Sequence, residues 1–109
     1  MIKIAIVDDK YPLIQSLLEV LHYFEEVKVV FTASNGQDCL DKLANISTKP
    51  DLILMDIEMD VMNGIEATTK VAVAYPEIKI VMLSAFDDDD KIFHAILAGA
   101  SGYLLKGEK

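Results

Sequence analysis

The sequence predicts an α/β fold, a doubly wound five-stranded parallel sheet with helices on both faces, and three observations carry that expectation. Short apolar runs alternate with longer stretches of helical period, which is the rhythm of βαβ units around a parallel sheet. The runs are rich in Ile, Val and Leu, as strands buried on both faces are. The chain is 109 residues long, the size of one domain, and such a chain buries roughly two-thirds of the surface it exposes when unfolded.

Taken in order, strands are expected over residues 2–7, 27–32, 51–55, 78–83 and 101–105. Between the first two, Leu13, Ile14, Leu17, Leu18, Leu21 and Phe24 recur at helical spacing, with Pro12 in the first turn, where its missing N–H costs nothing. Residues 35–46 read as a second helix with Cys39, Leu40 and Leu43 inward, stopped by Lys49-Pro50. Residues 65–74 read as a third, ended by Tyr75-Pro76. The run Asp87-Asp88-Asp89-Asp90 precedes Ile92, Phe93, Ile96 and Leu97, so it reads as the acidic start of a fourth helix rather than a cation trap. Gly99 ends that helix, and no repeat, linker or internal domain boundary appears, so residues 1–109 form a single domain.

Composition excludes several functions. The formal charge is −8, with ten lysines and no arginine, which argues against binding a nucleic-acid backbone. The apolar runs are far shorter than the ~20 residues of a membrane span. Asp8 and Asp9 end the first apolar stretch with no cleavage site after it, so a cytoplasmic location is expected. Cys39 is the only cysteine and reads as a small buried helix residue. His22 and His94 read as surface residues of helices. No Gly-rich phosphate loop follows any strand.

In open parallel sheets, ligands bind beyond the carboxyl ends of the strands, where strand order reverses. Asp8 and Asp9 follow the first strand, Asp56 the third, Ser84 the fourth and Lys106 the fifth, so four strand ends deliver polar groups to one edge. Three converging carboxylates repel one another unless a cation or shared protons offset the charge. All the candidate ligands are oxygens and no histidine stands at these ends, which favours Mg²⁺ over zinc. Metal, lysine and hydroxyl together suit phosphate: Mg²⁺ and Lys106 neutralise phosphoryl oxygens, Ser84 donates a hydrogen bond, and Asp56 attacks as nucleophile. Singly, each residue has a bland reading as a cap, a turn or a solvated side chain.

Together with Ile6-Val7-Asp8-Asp9, the segments Leu54-Met55-Asp56-Ile57, Met59-Asp60-Val61-Met62-Asn63-Gly64, Ser84-Ala85 and Gly102-Tyr103-Leu104-Leu105-Lys106 resemble the receiver domains of two-component response regulators over nearly the whole chain. The resemblance implies a flavodoxin-like strand order 2-1-3-4-5. It implies Asp56 as phospho-acceptor, Mg²⁺ held by Asp9, Asp56 and the backbone carbonyl of Glu58, and Asp8 orienting metal waters. Ser84 and Lys106 would contact phosphoryl oxygens, and Ser84 with Tyr103 would form the switch. The phosphoryl donor would be a sensor histidine kinase, and the chain would catalyse only its own phosphorylation and dephosphorylation.

The segment 102–106 resembles the NarL/FixJ-like branch, which carries a C-terminal helix-turn-helix domain. DNA contact would then come only through a domain outside this chain, with transcription as the output and a homodimer among the partners. Receivers normally continue into a fifth helix, whereas here Lys106 is followed by Gly107-Glu108-Lys109, so an N-terminal fragment of a longer regulator is expected, with apolar surface exposed on its outer strands. Asp60 stands where the family usually has proline and Asn63 where aspartate is common, both expected to have small effects. Glu58 and Phe86 stand at positions that tune phosphoryl lifetime in the family.

Three other readings share parts of this pattern. An aspartate-nucleophile phosphatase would carry Asp-x-Asp on the first strand and a lid domain. A flavodoxin-type flavin module would not place Asp8 and Asp9 against a phosphate. A receiver-like module that only binds a partner would have no need of Asp8, Asp9, Asp56, Ser84 and Lys106 together.

Overall fold

The computed structural model describes residues 1–84 and 89–105. Lys106, Ala85, Phe86, Asp87, Asp88 and the last three residues, on which several expectations fall, lie outside the described residues. The elements run β1 (Ile2–Val7), α1 (Tyr11–Leu21), β2 (Val27–Ala33), α2 (Gly36–Asn45), β3 (Leu52–Asp56), α3 (Gly64–Ala74), β4 (Lys79–Ser84), α4 (Asp89–Ala98) and β5 (Gly102–Leu105). The strands form one parallel sheet in the order β2-β1-β3-β4-β5, as expected.

That order decides where the helices go. The step from β1 to β2 runs one way along the sheet and every later step runs the other, so right-handed crossovers put α1 on one face and the later helices on the opposite face. Two cores result. Ile4 and Ile6 of β1 pack with Ile14 of α1, flanked by Leu17, Leu18 and Leu21. On the other face, Ala5, Val7, Ile53, Met55, Ile80 and Met82 meet Cys39 and Leu43 of α2, Ala67 and Val71 of α3, and Ala95 of α4. The alternation of neighbouring strand residues between the two cores follows from the pleat.

The helix starts have local causes. Asn35 accepts from the N–H of Asp38, and Asn63 accepts from the N–H of Glu66 at 2.9 Å, each satisfying a donor that an α-helix leaves open at its first turn. Asn63 therefore performs the capping that an aspartate would. Gly99, at φ 118, ends α4 in a backbone conformation that L-residues with side chains rarely adopt.

Several expectations need correction. Helix α1 stops at Leu21, so Phe24 lies beyond it and is half exposed rather than part of its buried face. Asp51 precedes β3, where its carboxylate accepts the N–H of Lys3. Asp56 and Ser84 are the last residues of their strands rather than the first beyond them. On α4, Phe93, Ile96 and Leu97 are exposed, and the helix presents Ala95 to the core with Ile92 half-buried one turn earlier. Leu104 and Leu105 on the outer strand β5 are exposed, as anticipated.

An acidic edge at the carboxyl ends of the strands

The site lies where strand order reverses, between β1, which Asp8 and Asp9 follow, and β3, which ends in Asp56 at the same edge. Parallel pairing sets Val7 beside Met55 and Asp56 beside Leu83, so the residues just after β1, at the end of β3 and at the end of β4 come to one rim. Asp8 follows β1, with its N–H donated to the carbonyl of Ala33 on β2. It is 1 % exposed, Asp56 is 2 % exposed and Ser84 is fully buried. Two carboxylates at that burial are costly without hydrogen bonds or a cation.

The carboxylates of Asp8, Asp9 and Asp56 each offer an oxygen, and these atoms lie within 4.8 Å of one another. The Asp8 carboxylate also accepts the backbone N–H of Lys10 at 2.8 Å, which holds it in place at the mouth of α1. The site is all-oxygen, with two buried carboxylates and one partly exposed one. That set fits a hard divalent cation such as Mg²⁺, which needs one or two carboxylates and retains waters and phosphate oxygens for its other positions.

A lysine stands among them. The ammonium of Lys10 donates to Asp9 Oδ1 at 3.1 Å and stands 4.0 Å from Asp56 Oδ2. Its bond to Asp9, with the charges of Asp56 and Asp8 behind it, holds the amine above the ordinary lysine value despite some burial acting the other way.

The loop after β3 approaches Asp56 closely. Gly64 donates its N–H to the carbonyl of Ile57 at 2.9 Å, and a Cβ there would lie 1.9 Å from the carbonyl oxygen of Asp56. Ahead of it, Met62 donates its N–H to the carbonyl of Asp60 at 2.8 Å across Val61, whose φ is 70°. That is the geometry of the strained γ-turn, rare for any residue and rarer for a β-branched one. The turn sends Met62 into the core, where its carbonyl accepts the N–H of Gly36 at 2.9 Å. The side chain of Glu58 meets the ammonium of Lys91 on α4.

Of the residues singled out from sequence, Asp8, Asp9 and Asp56 are thus brought together, and Ser84 ends the neighbouring strand. Tyr103 is partly buried and packs against the larger core, the bland role expected of a strand tyrosine. His22 and His94 are exposed helix-end and helix residues, and Cys39 is buried on α2. Sequence reasoning missed Lys10, although its position directly after the acidic pair was a signal. It also missed the Glu58–Lys91 pair, which no local pattern announces, and the strain at Val61.

A family model described as the response regulator receiver domain matches residues 4–109. The transcriptional regulatory protein LnrK of Bacillus subtilis is 43% identical over 106 residues, covering 97% of this chain and 47% of its own. The response regulator protein VraR of Staphylococcus epidermidis is 39% identical over 105 residues, covering 96% of this chain and 49% of its own. The chain spans about half the length of these curated relatives. Among solved structures, the response regulator domain of Thermotoga maritima CheB superposes with a TM-score of 0.89 at 28% identity, covering 99% of this chain and 80% of that one.

Proposed function

Because the chain belongs to the response regulator receiver domain family, we propose that it accepts a phosphoryl group on Asp56 from the phosphohistidine of a sensor histidine kinase and passes the change on as a shifted surface. The observation that carries this reading is the convergence of the Asp8, Asp9 and Asp56 carboxylate oxygens within 4.8 Å at a strand-end rim, with Asp56 buried.

In this reading Asp9, Asp56 and the Glu58 carbonyl would hold Mg²⁺, and Asp8 would orient its waters. When bound, the metal supplies positive charge for the phosphoryl oxygens. An oxygen of Asp56 attacks phosphorus, the P–N bond to the donor imidazole breaks, and its electron pair stays on the departing nitrogen. Ser84 donates its hydroxyl to a phosphoryl oxygen, and Lys106, outside the described residues, neutralises another. Phosphorylation then biases a two-state element, the loop after Ser84 and the helix that follows, with the rotamer of Tyr103 reporting the state of Ser84.

LnrK is a transcriptional regulatory protein, and it and VraR are about twice this length, which supports a receiver that forms the N-terminal part of a longer cytoplasmic regulator. DNA binding and dimerisation belong to that longer protein. The chain itself acts as a signalling domain whose only chemistry is on its own aspartate.

The test is intact mass after incubation with acetyl phosphate and Mg²⁺, for the native chain and Asp56→Asn. One phosphoryl group on the native chain, absent without Mg²⁺ or on substitution, is the expected result. A folded native chain that gains none would overturn the reading in favour of a partner-binding module.

A further inference from the structure

Lys10 is not among the residues that the proposed phosphoryl transfer uses, yet its side chain reaches into the acidic edge. It is the residue that precedes α1, and its side chain does not cap that helix. Instead its backbone N–H holds Asp8 at 2.8 Å, its ammonium donates to Asp9 at 3.1 Å, and the same ammonium stands 4.0 Å from Asp56 Oδ2. The cation therefore touches one carboxylate and faces a second, and both are among those whose oxygens converge within 4.8 Å. Asp9 and Asp56 are also the two side chains assigned to the metal.

We propose that Lys10 is a tethered counter-ion of the metal-free site, a positioning residue that bridges Asp9 and Asp56 until a divalent cation displaces it. The inference rests on the proposed Mg²⁺ site. Two like charges this close repel, and an ammonium between them offsets that repulsion while the metal is away. A divalent cation held by the same carboxylates would repel the ammonium, which would then swing out. With its side chain 58% exposed, Lys10 can do so into solvent at little cost. Lys10 thus lowers the affinity for the metal and, once displaced, stands at the rim as a positive charge facing an incoming anionic phosphoryl donor.

The experiment is calorimetric titration of the 109-residue chain with Mg²⁺, comparing native, Lys10→Gln and Lys10→Arg, with circular dichroism as the check on folding. Lys10→Gln should bind Mg²⁺ roughly two- to tenfold more tightly, the span expected for losing the ion pairs of one exposed ammonium. Lys10→Arg, which keeps the charge and the reach, should stay within about twofold of native. The tightening should persist in about 0.5 M KCl, where a merely remote charge would be screened. Affinity that is unchanged or weaker in Lys10→Gln, while native binds Mg²⁺, overturns the counter-ion role and leaves the receiver reading standing. Absence of Mg²⁺ binding in every variant overturns both.

Discussion

Lys91 of α4 holds its ammonium 2.6 Å from the carboxylate of Glu58, so the loop that follows the proposed phospho-acceptor is tied to the helix that follows β4. The pair is half exposed, 35% at Lys91 and 49% at Glu58, which limits its worth to under about 1 kcal/mol of stability. Its electrostatic effect on chemistry should be larger. Lys91→Ala leaves the Glu58 carboxylate uncompensated beside the site and should slow uptake from acetyl phosphate by roughly two- to fivefold at low salt. Glu58→Gln removes a negative charge beside the site and should speed it. Initial rates of phosphorylation, followed by mass at low and high salt, check both signs, and equal slowing in the two variants would rule the electrostatic account out.

Val61 should be a site where a smaller residue stabilises the chain. Its φ of 70° costs about 1–2 kcal/mol for a residue with a side chain, and its side chain is 82% exposed, so little packing is lost on truncation. Val61→Gly should raise stability by about 0.5–1 kcal/mol after the extra flexibility that glycine gives the unfolded chain is counted. Val61→Ala keeps most of the strain and should not. Urea midpoints of the two variants decide it.

Gly64→Ala should do the opposite. The added Cβ would sit 1.9 Å from the carbonyl oxygen of Asp56 and 2.8 Å from its carbonyl carbon, both backbone atoms that cannot turn aside. The loop must move, or β3 must release its last residue, at a cost on the order of 3 kcal/mol or more. Because the clash is with Asp56 itself, Mg²⁺ binding should weaken along with stability. Thermal unfolding with and without Mg²⁺ reads both.

Much of this was legible beforehand, for reasons that differ by element. The strands are short apolar runs, and the sheet order came from the resemblance to receiver domains, while the carboxylates Asp8, Asp9 and Asp56 at one rim were legible from the strand ends. Helix α1 was placed by its period but overextended, because Phe24 continues the spacing while the chain has already turned toward β2. On α4 the period points to Phe93, Ile96 and Leu97, yet the face turned to the core carries Ala95, because which face docks is set by the neighbouring elements and not by the helix's own pattern. In the site, the residue types announced the carboxylates. Long side chains that reach across it, Lys10 to Asp56 and Lys91 to Glu58, depend on rotamers and on distances fixed by the whole fold.

Cys39 makes the stability of the chain sensitive to alkaline pH. Burial between α2 and the sheet disfavours the thiolate, and the negative charge of Asp38 adds to it, so the thiol is pushed up to about 12 from an ordinary value of 9.0. The group is an acid whose folded value is raised. Its contribution is therefore fully present below the unfolded value, near pH 9, and is lost progressively as pH climbs from there toward 12, because the unfolded chain releases the proton and the folded chain does not. The slope is up to about 1.4 kcal/mol per pH unit, to which lysine and tyrosine titrations add their own parts. Cys39→Ala removes this group alone, so the stability difference between native and variant should be constant below pH 9 and shrink above it. Urea unfolding at a series of alkaline pH values measures that difference. The same burial predicts that iodoacetamide modifies the native thiol only as fast as the chain opens, and that a subdenaturing dose of urea accelerates the reaction. Modification of the folded chain at the rate of a free thiol, together with a pH-independent difference, would show that α2 does not keep Cys39 in the core.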